Sequence, residues 1–156
     1  MLEFRPMTDQ TFQQFLAHTV PQYAAEKVRS GEWSAQEAQA RGEGEFTMLL
    51  PQGVNTPQNI LYDLYDSDSA QNVGVLWYAL RQNGPQIVAF VYEIEIYPDH
   101  RRLGHATRAF ELLEQDAAKH GAGSVQLHVF GHNHGARALY ERLGFFPTNL
   151  ILRKNL

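Results

Sequence analysis

Cysteine is absent from the 156 residues. That excludes a disulfide scaffold, a cysteine zinc site, an iron–sulfur site and a cysteine nucleophile. It is compatible with a reducing cytoplasm, and a cytoplasmic location is expected. Long apolar runs are missing too. None approaches the ~20 residues needed to cross a bilayer, and Met1 to Pro6 lacks the basic-then-apolar run of a secretory signal. No membrane partner is therefore expected. Positive charge is scarce: 13 Lys+Arg against 17 Asp+Glu leave a formal charge of −4. That balance argues against a nucleic-acid partner, which needs a basic face. No internal repeat, low-complexity tract or long linker occurs. What remains is 44% hydrophobic and 19% charged, suited to one globular domain over residues 1–156. A chain this long buries roughly 68–70% of its unfolded surface, so a metal is not needed to hold a core.

The pattern changes once, near residue 55. Before it the chain reads helical, after a short strand at Met1–Arg5. Thr8-Asp9 caps a first helix carrying Phe12, Phe15 and Leu16 at helical spacing, and Pro21 should break or kink it. Ser34 with Glu37 forms a capping box that should start a second helix, stopped by Pro51 and Gly53. Beyond lie three strands, 60–66, 73–81 and 87–97, separated by short turns at Asp66–Ser69 and Asn83–Pro85. They suggest an antiparallel meander. A helix follows with Ala106, Ala109, Phe110, Leu113 and Ala117 on one stripe, then a strand over 124–130, a helix over 133–142 and a last strand over 145–153. The order βααβββαβαβ predicts an α/β (α+β) fold: a mixed, mostly antiparallel central sheet flanked by helices.

The strand–loop–helix at 87–120 is the most informative stretch. Its loop, Arg101-Arg102-Leu103-Gly104-His105, is basic and contains a glycine where backbone can approach a ligand closely. It opens directly into a helix N-terminus, where unpaired N–H groups and the helix dipole favour an anion. With Arg108 nearby, a pyrophosphate is the natural guest. The longer run Ile94-Glu95-Ile96-Tyr97-Pro98-Asp99-His100-Arg101-Arg102-Leu103-Gly104-His105-Ala106 resembles the central motif of the GCN5-related N-acetyltransferase (GNAT) superfamily. About 27 residues on, Asn133-x-x-Ala136-x-x-x-Tyr140-x-x-x-Gly144-Phe145 resembles that superfamily's second motif. The two motifs lie in the right order on the right elements. The chain looks like a small stand-alone bacterial member.

The resemblance implies a GNAT-like fold in which 87–147 is the acetyl-CoA-binding core and 1–55 supplies variable acceptor-side helices. It implies that the backbone at Ile94 and Ile96 pairs with the pantetheine arm. A bulge would splay that strand from 124–130. The loop Arg101, Arg102, Leu103, Gly104, His105, Ala106 and Thr107 would cradle the pyrophosphate of acetyl-CoA, the acetyl donor. Asn133 would bind the pantetheine arm, and Tyr140 would sit by the thioester sulfur. Ala106 stands where Gly is commonest, and His105 is unusual at its position. Homodimers are common in families that resemble this one, which leaves a homodimer open.

Acetylation of an amine is acyl transfer. A lysine-type amine with pKa of about 10.4 arrives protonated, so a base should help remove its proton. The thiolate leaving group needs a proton from an acid. Tyr140 is the candidate acid on the resemblance. Glu93 and Glu95 are the candidate bases, because they interrupt an apolar strand where carboxylates are costly to bury. A strand end emerging into solvent, or a salt bridge to a nearby Arg, is the plainer reading of both. His128, His132 and His134 could ligate a metal, but their placement on a strand and a helix start favours a surface or cleft lining, so no metal is expected. Glu26 and Glu32 could attract a cationic amine, though solvated helix faces explain them more simply.

These residues predict an acyltransferase: an acetyl-CoA-dependent N-acetyltransferase acting by direct transfer on a primary amine. The alternative is a catalytically weak acyl-CoA-binding sensor, because fold does not fix function.

Overall fold

The computed structural model describes residues 1–156. At its centre is one five-stranded sheet in the order β1-β2-β3-β4-β5. β1 (Leu2–Pro6), β2 (Asn59–Asp66), β3 (Gln71–Asn83) and β4 (Gln86–Ile96) run antiparallel, and β5 (Ala122–Leu127) joins β4 in parallel. The expected mixed, mostly antiparallel sheet is what forms. α1 (Asp9–Arg29) and α2 (Ala38–Leu49) pack on one face and α3 (His105–Lys119) on the other, while α4 (His134–Arg142) follows β5. No helix is long and apolar enough to cross a membrane.

β3 shows how the two cores arise. Val75 and Trp77 point to the α1–α2 face, among Phe12, Phe15 and Phe46. Leu76 and Tyr78 point to the other, among Val91, Phe110, Leu113 and Ala117. A strand covered on both faces needs an unbroken apolar run rather than alternation, and Val73 to Ala79 supplies one. Two tyrosine hydroxyls then tie the sheet to α3: Tyr62 and Tyr78 both donate to Asp116, at 3.1 and 2.6 Å. That buried polar lock had no signature in the sequence.

Three local expectations are corrected. Pro21 does not break the first helix; α1 runs through it. Proline costs the helix a hydrogen bond, and burial of Phe15, Thr19, Val20 and Ala24 on the flanking turns offsets that loss. The second helix starts at Ala38, not Ser34, and Glu37 spends its carboxylate on Arg41, one turn on, at 2.8 Å. Residues 145–153 form no strand. No backbone hydrogen bond involves residues 146–156, and Pro147 lacks an N–H to give.

Gly74 sits where β3 meets the end of β4. A Cβ there would lie 2.0 Å from the Glu95 carbonyl oxygen, a backbone atom that cannot swing aside. Gly74→Ala is expected to destabilise the chain by about 1–3 kcal/mol or more. A denaturant melt checks this, and an unchanged midpoint would contradict the close approach.

Candidate active site

The site grows from a mismatch between strands. In the β3–β4 ladder Tyr78 faces Val91 and Trp77 faces Glu93, so Tyr92 is an extra residue. Such a bulge bends the strand that carries it. Pairing of β4 with β5 runs from Ile87–Ala122 to Val91–Leu127 and stops there. From Glu93 to Ile96, β4 remains paired with β3 but has no partner on its β5 side. Ile94 and Ile96, the expected backbone contacts, lie on this open stretch. The Ile96 carbonyl is already taken, accepting from Arg101 Nε at 2.8 Å.

The open edge leads through a short 3₁₀ turn into the basic loop. Gly104 is the N-cap of α3, with φ at +83° and no side chain capping the helix. Arg102 also adopts a left-handed conformation, with φ of +63°, so the loop holds a local strain of the kind found at ligand sites. The first backbone bond into α3 runs from Arg108 N to the Gly104 carbonyl at 3.1 Å. The amides of His105, Ala106 and Thr107 therefore have no helical acceptor. No acidic residue occupies this first turn, and Arg101, Arg102, Leu103 and Gly104 are exposed. A free, positively polarised helix end beside arginines fits a phosphate group.

Two titratable groups lie on this open stretch of β4, and a third is on α4. Glu93 is only partly exposed and pairs with no other side chain; only the backbone of Ile94 bonds its carboxyl. Burial pushes its carboxyl up to about 7, with a further push from the neighbouring Glu95 charge. Glu95 itself is committed: His18 Nε2 lies 2.8 Å away and the Arg101 guanidinium 3.7 Å. The Tyr140 ring packs edge-on to Phe110 with centroids 5.7 Å apart and leans on Phe145. Burial, and then the charge of Glu93, raise its phenol to about 12. The Tyr140 hydroxyl makes no hydrogen bond. By contrast, Tyr23 has its hydroxyl tied to Glu45 at 2.6 Å, and Tyr62 and Tyr78 are tied to Asp116.

Other expected residues are placed differently. Asn133 is the N-cap of α4, and its side-chain oxygen accepts from Ala136 N at 3.2 Å, which leaves only its amide NH₂ for a ligand. Glu26 and Glu32 are paired, the first with His132 at 2.6 Å and Arg29 at 3.2 Å, the second with Lys27 at 2.7 Å. They offer no free charge to an amine. His132 is thus spent on Glu26, and His128 stands edge-on to Phe130. His18 is the residue that sequence reasoning missed. It lies on α1, and only contact across the fold joins it to Glu95; its spacing along the helix carries no sign of that.

Comparison with known proteins finds clear likenesses. The sequence pattern described as the Acetyltransferase (GNAT) family matches residues 25–145. The chain is 38% identical over 151 residues to a Bacillus subtilis protein named uncharacterized N-acetyltransferase YycN, covering 97% of this chain and 96% of that one. It is 31% identical to a second Bacillus subtilis protein, uncharacterized N-acetyltransferase YdgE, covering 96% and 95%. The crystal structure of YycN superposes with a TM-score of 0.94 at 37% identity, over 100% of this chain and 99% of that one. At 13% identity, a likeness of fold alone, AAC(6')-Iy in complex with the bisubstrate analogue CoA-S-monomethyl-acetylneamine superposes with a TM-score of 0.64 over 100% and 98%.

Proposed function

Because the chain belongs to the GNAT acetyltransferase family, we propose that it is an N-acetyltransferase. It moves an acetyl group from acetyl-CoA to a primary amine of a small molecule or peptide, by direct transfer. The observation that carries this reading is a half-buried carboxyl paired with no side chain, Glu93, on the stretch where β4 parts from β5, in a chain that also holds a phenol with no hydrogen-bond partner, Tyr140. When bound, acetyl-CoA supplies an activated thioester to that gap. Its pyrophosphate belongs on the free amides of His105, Ala106 and Thr107, with Arg102 and Leu103 shaping the loop. Its pantetheine arm belongs along the unpaired β4 edge at Ile94 and Ile96, with the Asn133 amide opposite. A protein of the same fold is solved with a bisubstrate analogue containing CoA, which supports a CoA donor for this fold.

Glu93 acts as the base. A carboxyl that titrates near 7 is half ionised at neutral pH and accepts the ammonium proton at a smaller penalty than an unperturbed glutamate would. Glu95 holds a charge beside it, anchored by His18 and Arg101. That charge keeps Glu93 more basic, so Glu95 is a positioning residue. Tyr140 is the acid. Its hydroxyl, free of other partners, protonates the departing sulfur, and its raised pKa keeps it protonated until then. A strand N–H on the open edge of β4 is suited to the developing oxyanion.

Tyr140→Phe tests the assignment directly. Turnover is expected to fall about 100-fold, with acetyl-CoA affinity unchanged in calorimetry. Phenylalanine keeps the packing against Phe110 and Phe145. Unchanged turnover would remove Tyr140 as the acid.

A further inference from the structure

Two aspartates of β2 are buried, and the fold treats them differently. Asp66, 7% exposed, is fully partnered: the N-terminal ammonium lies 2.9 Å away and the Ser69 hydroxyl donates to it at 2.7 Å. Asp63 is 9% exposed, yet no group of the chain donates a hydrogen bond to its carboxyl and no cation pairs with it. The residue directly across the ladder is Arg5. Its guanidinium turns away, lying over the Tyr65 ring at 3.2 Å and beside Glu3 at 3.4 Å. A carboxylate taken out of water is costly unless a cation or donors meet it. One kept unpaired at this depth points to a cation from outside the chain.

Asp63 has neighbours suited to such a guest. The rung Arg5–Asp63–Val75–Glu95 crosses the first four strands, so Asp63 and Glu95 share a face of the sheet. It is the face under α1, where Val75 and Trp77 pack. Glu93, Glu95 and Tyr97 follow at alternate positions along it, each only partly exposed. Tyr97 ends the row. Its amide donates to the Val73 carbonyl at 2.8 Å, and its ring stands edge-on to His18 with centroids 5.5 Å apart. Burial, and then the charges of Asp63 and Glu95, raise its phenol above the usual range. Glu95 is matched by His18 and Arg101, whereas Asp63 is matched by nothing. Three metal-ligating side chains do not converge here, so an organic ammonium suits the place better than a metal ion. Its charge would meet the Asp63 carboxylate, and an aromatic ring favours a cation beside it.

We infer that Asp63 and Tyr97 form a second cation-binding slot, and that the acceptor is therefore a diamine, with one ammonium facing Glu93 and the other resting at Asp63. The role of Glu93 in this inference rests on the acyl-transfer reading. Glu93 and Tyr97 are separated by roughly 13 Å of extended strand, at about 3.3 Å per residue. The two ammonium groups accordingly belong at the ends of a long chain, which engages both charges at once where a monoamine or a short diamine engages one.

Calorimetric titration of the full chain with 1,10-diaminodecane, 1,3-diaminopropane and 1-aminooctane is the test, beside Asp63→Asn and Tyr97→Leu. The long diamine is expected to bind the wild type about tenfold tighter or more than either comparison amine. Asp63→Asn should erase that preference while melting no lower than the wild type, because an unpaired buried charge is gone. Tyr97→Leu, which keeps the carboxylate, should weaken the long diamine in the same direction. With acetyl-CoA present, thiol release should show the preference in KM rather than in kcat. Equal affinity for the three amines overturns the inference, as does a preference that survives Asp63→Asn. Asp63-dependent binding without thiol release supports the slot and contradicts the acyl-transfer reading instead.

Discussion

Glu93→Gln is expected to lower turnover by about 10²–10⁴-fold, the usual contribution of a positioned base. The loss should carry a pH signature. In the wild type, activity rises as pH increases through about 7, where the Glu93 carboxyl ionises. In the variant that limb should vanish, leaving only the slower rise set by the amine. Stability should move the opposite way. The folded carboxyl titrates near 7, against 4.5 for an unperturbed glutamate. The native state therefore binds more protons than the unfolded state between those values, and stability falls as pH rises across that window. Above it, the chain carries a buried charge costing on the order of 2–3 kcal/mol. Glu93→Gln removes that cost. The variant should melt higher than the wild type at pH 8 and show little gain at pH 4. An enzyme that is both slower and more stable would show stability given up for chemistry at one residue. Equal pH–rate profiles for variant and wild type would exclude Glu93 as the base.

Gly104→Glu should abolish acetyl-CoA binding. A carboxylate placed about 4 Å from a phosphate near the surface repels it by about 4 kcal/mol, and even half of that costs more than tenfold in affinity. Loss of at least about 100-fold is expected, since bulk adds to charge. The fold should survive, because a Cβ on Gly104 meets nothing within 4 Å. The left-handed φ of +83° will cost any other residue about 1–2 kcal/mol. Gly104→Ala carries that same backbone cost without the charge, so comparing the two isolates the electrostatic part. Wild-type affinity in Gly104→Glu, read by calorimetry, would exclude the α3 N-terminus as the phosphate site.

The sheet was legible because its signals are local. The meander declares itself through apolar strand runs broken by Asp66–Ser69 and Asn83–Pro85, and β2, β3 and β4 form within two residues of the expected bounds. The α3 loop was equally legible, since its chemistry comes from contiguous residues. What the sequence hid depends on contact across the fold. His18 and Glu95 are 77 residues apart, and only the packing of α1 over β4 joins them. Glu93 and Glu95 are alike in sequence. The bulge at Tyr92 and the reach of His18 and Arg101 make one uncommitted and the other paired. The misread last strand has a related cause: Phe145 to Arg153 has a strand's composition, but composition does not supply backbone pairing, and residues 146–156 make none.

The central claim is that the α3 loop and the gap beside β4 hold acetyl-CoA for transfer to an amine. Calorimetric titration of the purified protein with acetyl-CoA, followed by thiol release against amines, polyamines, amino acids and peptides, tests it most directly. Stoichiometric binding with amine-dependent release of CoA is the predicted result. Binding without release for any amine would point to an acyl-CoA sensor and contradict the catalytic roles of Glu93 and Tyr140. The absence of binding would contradict the site itself.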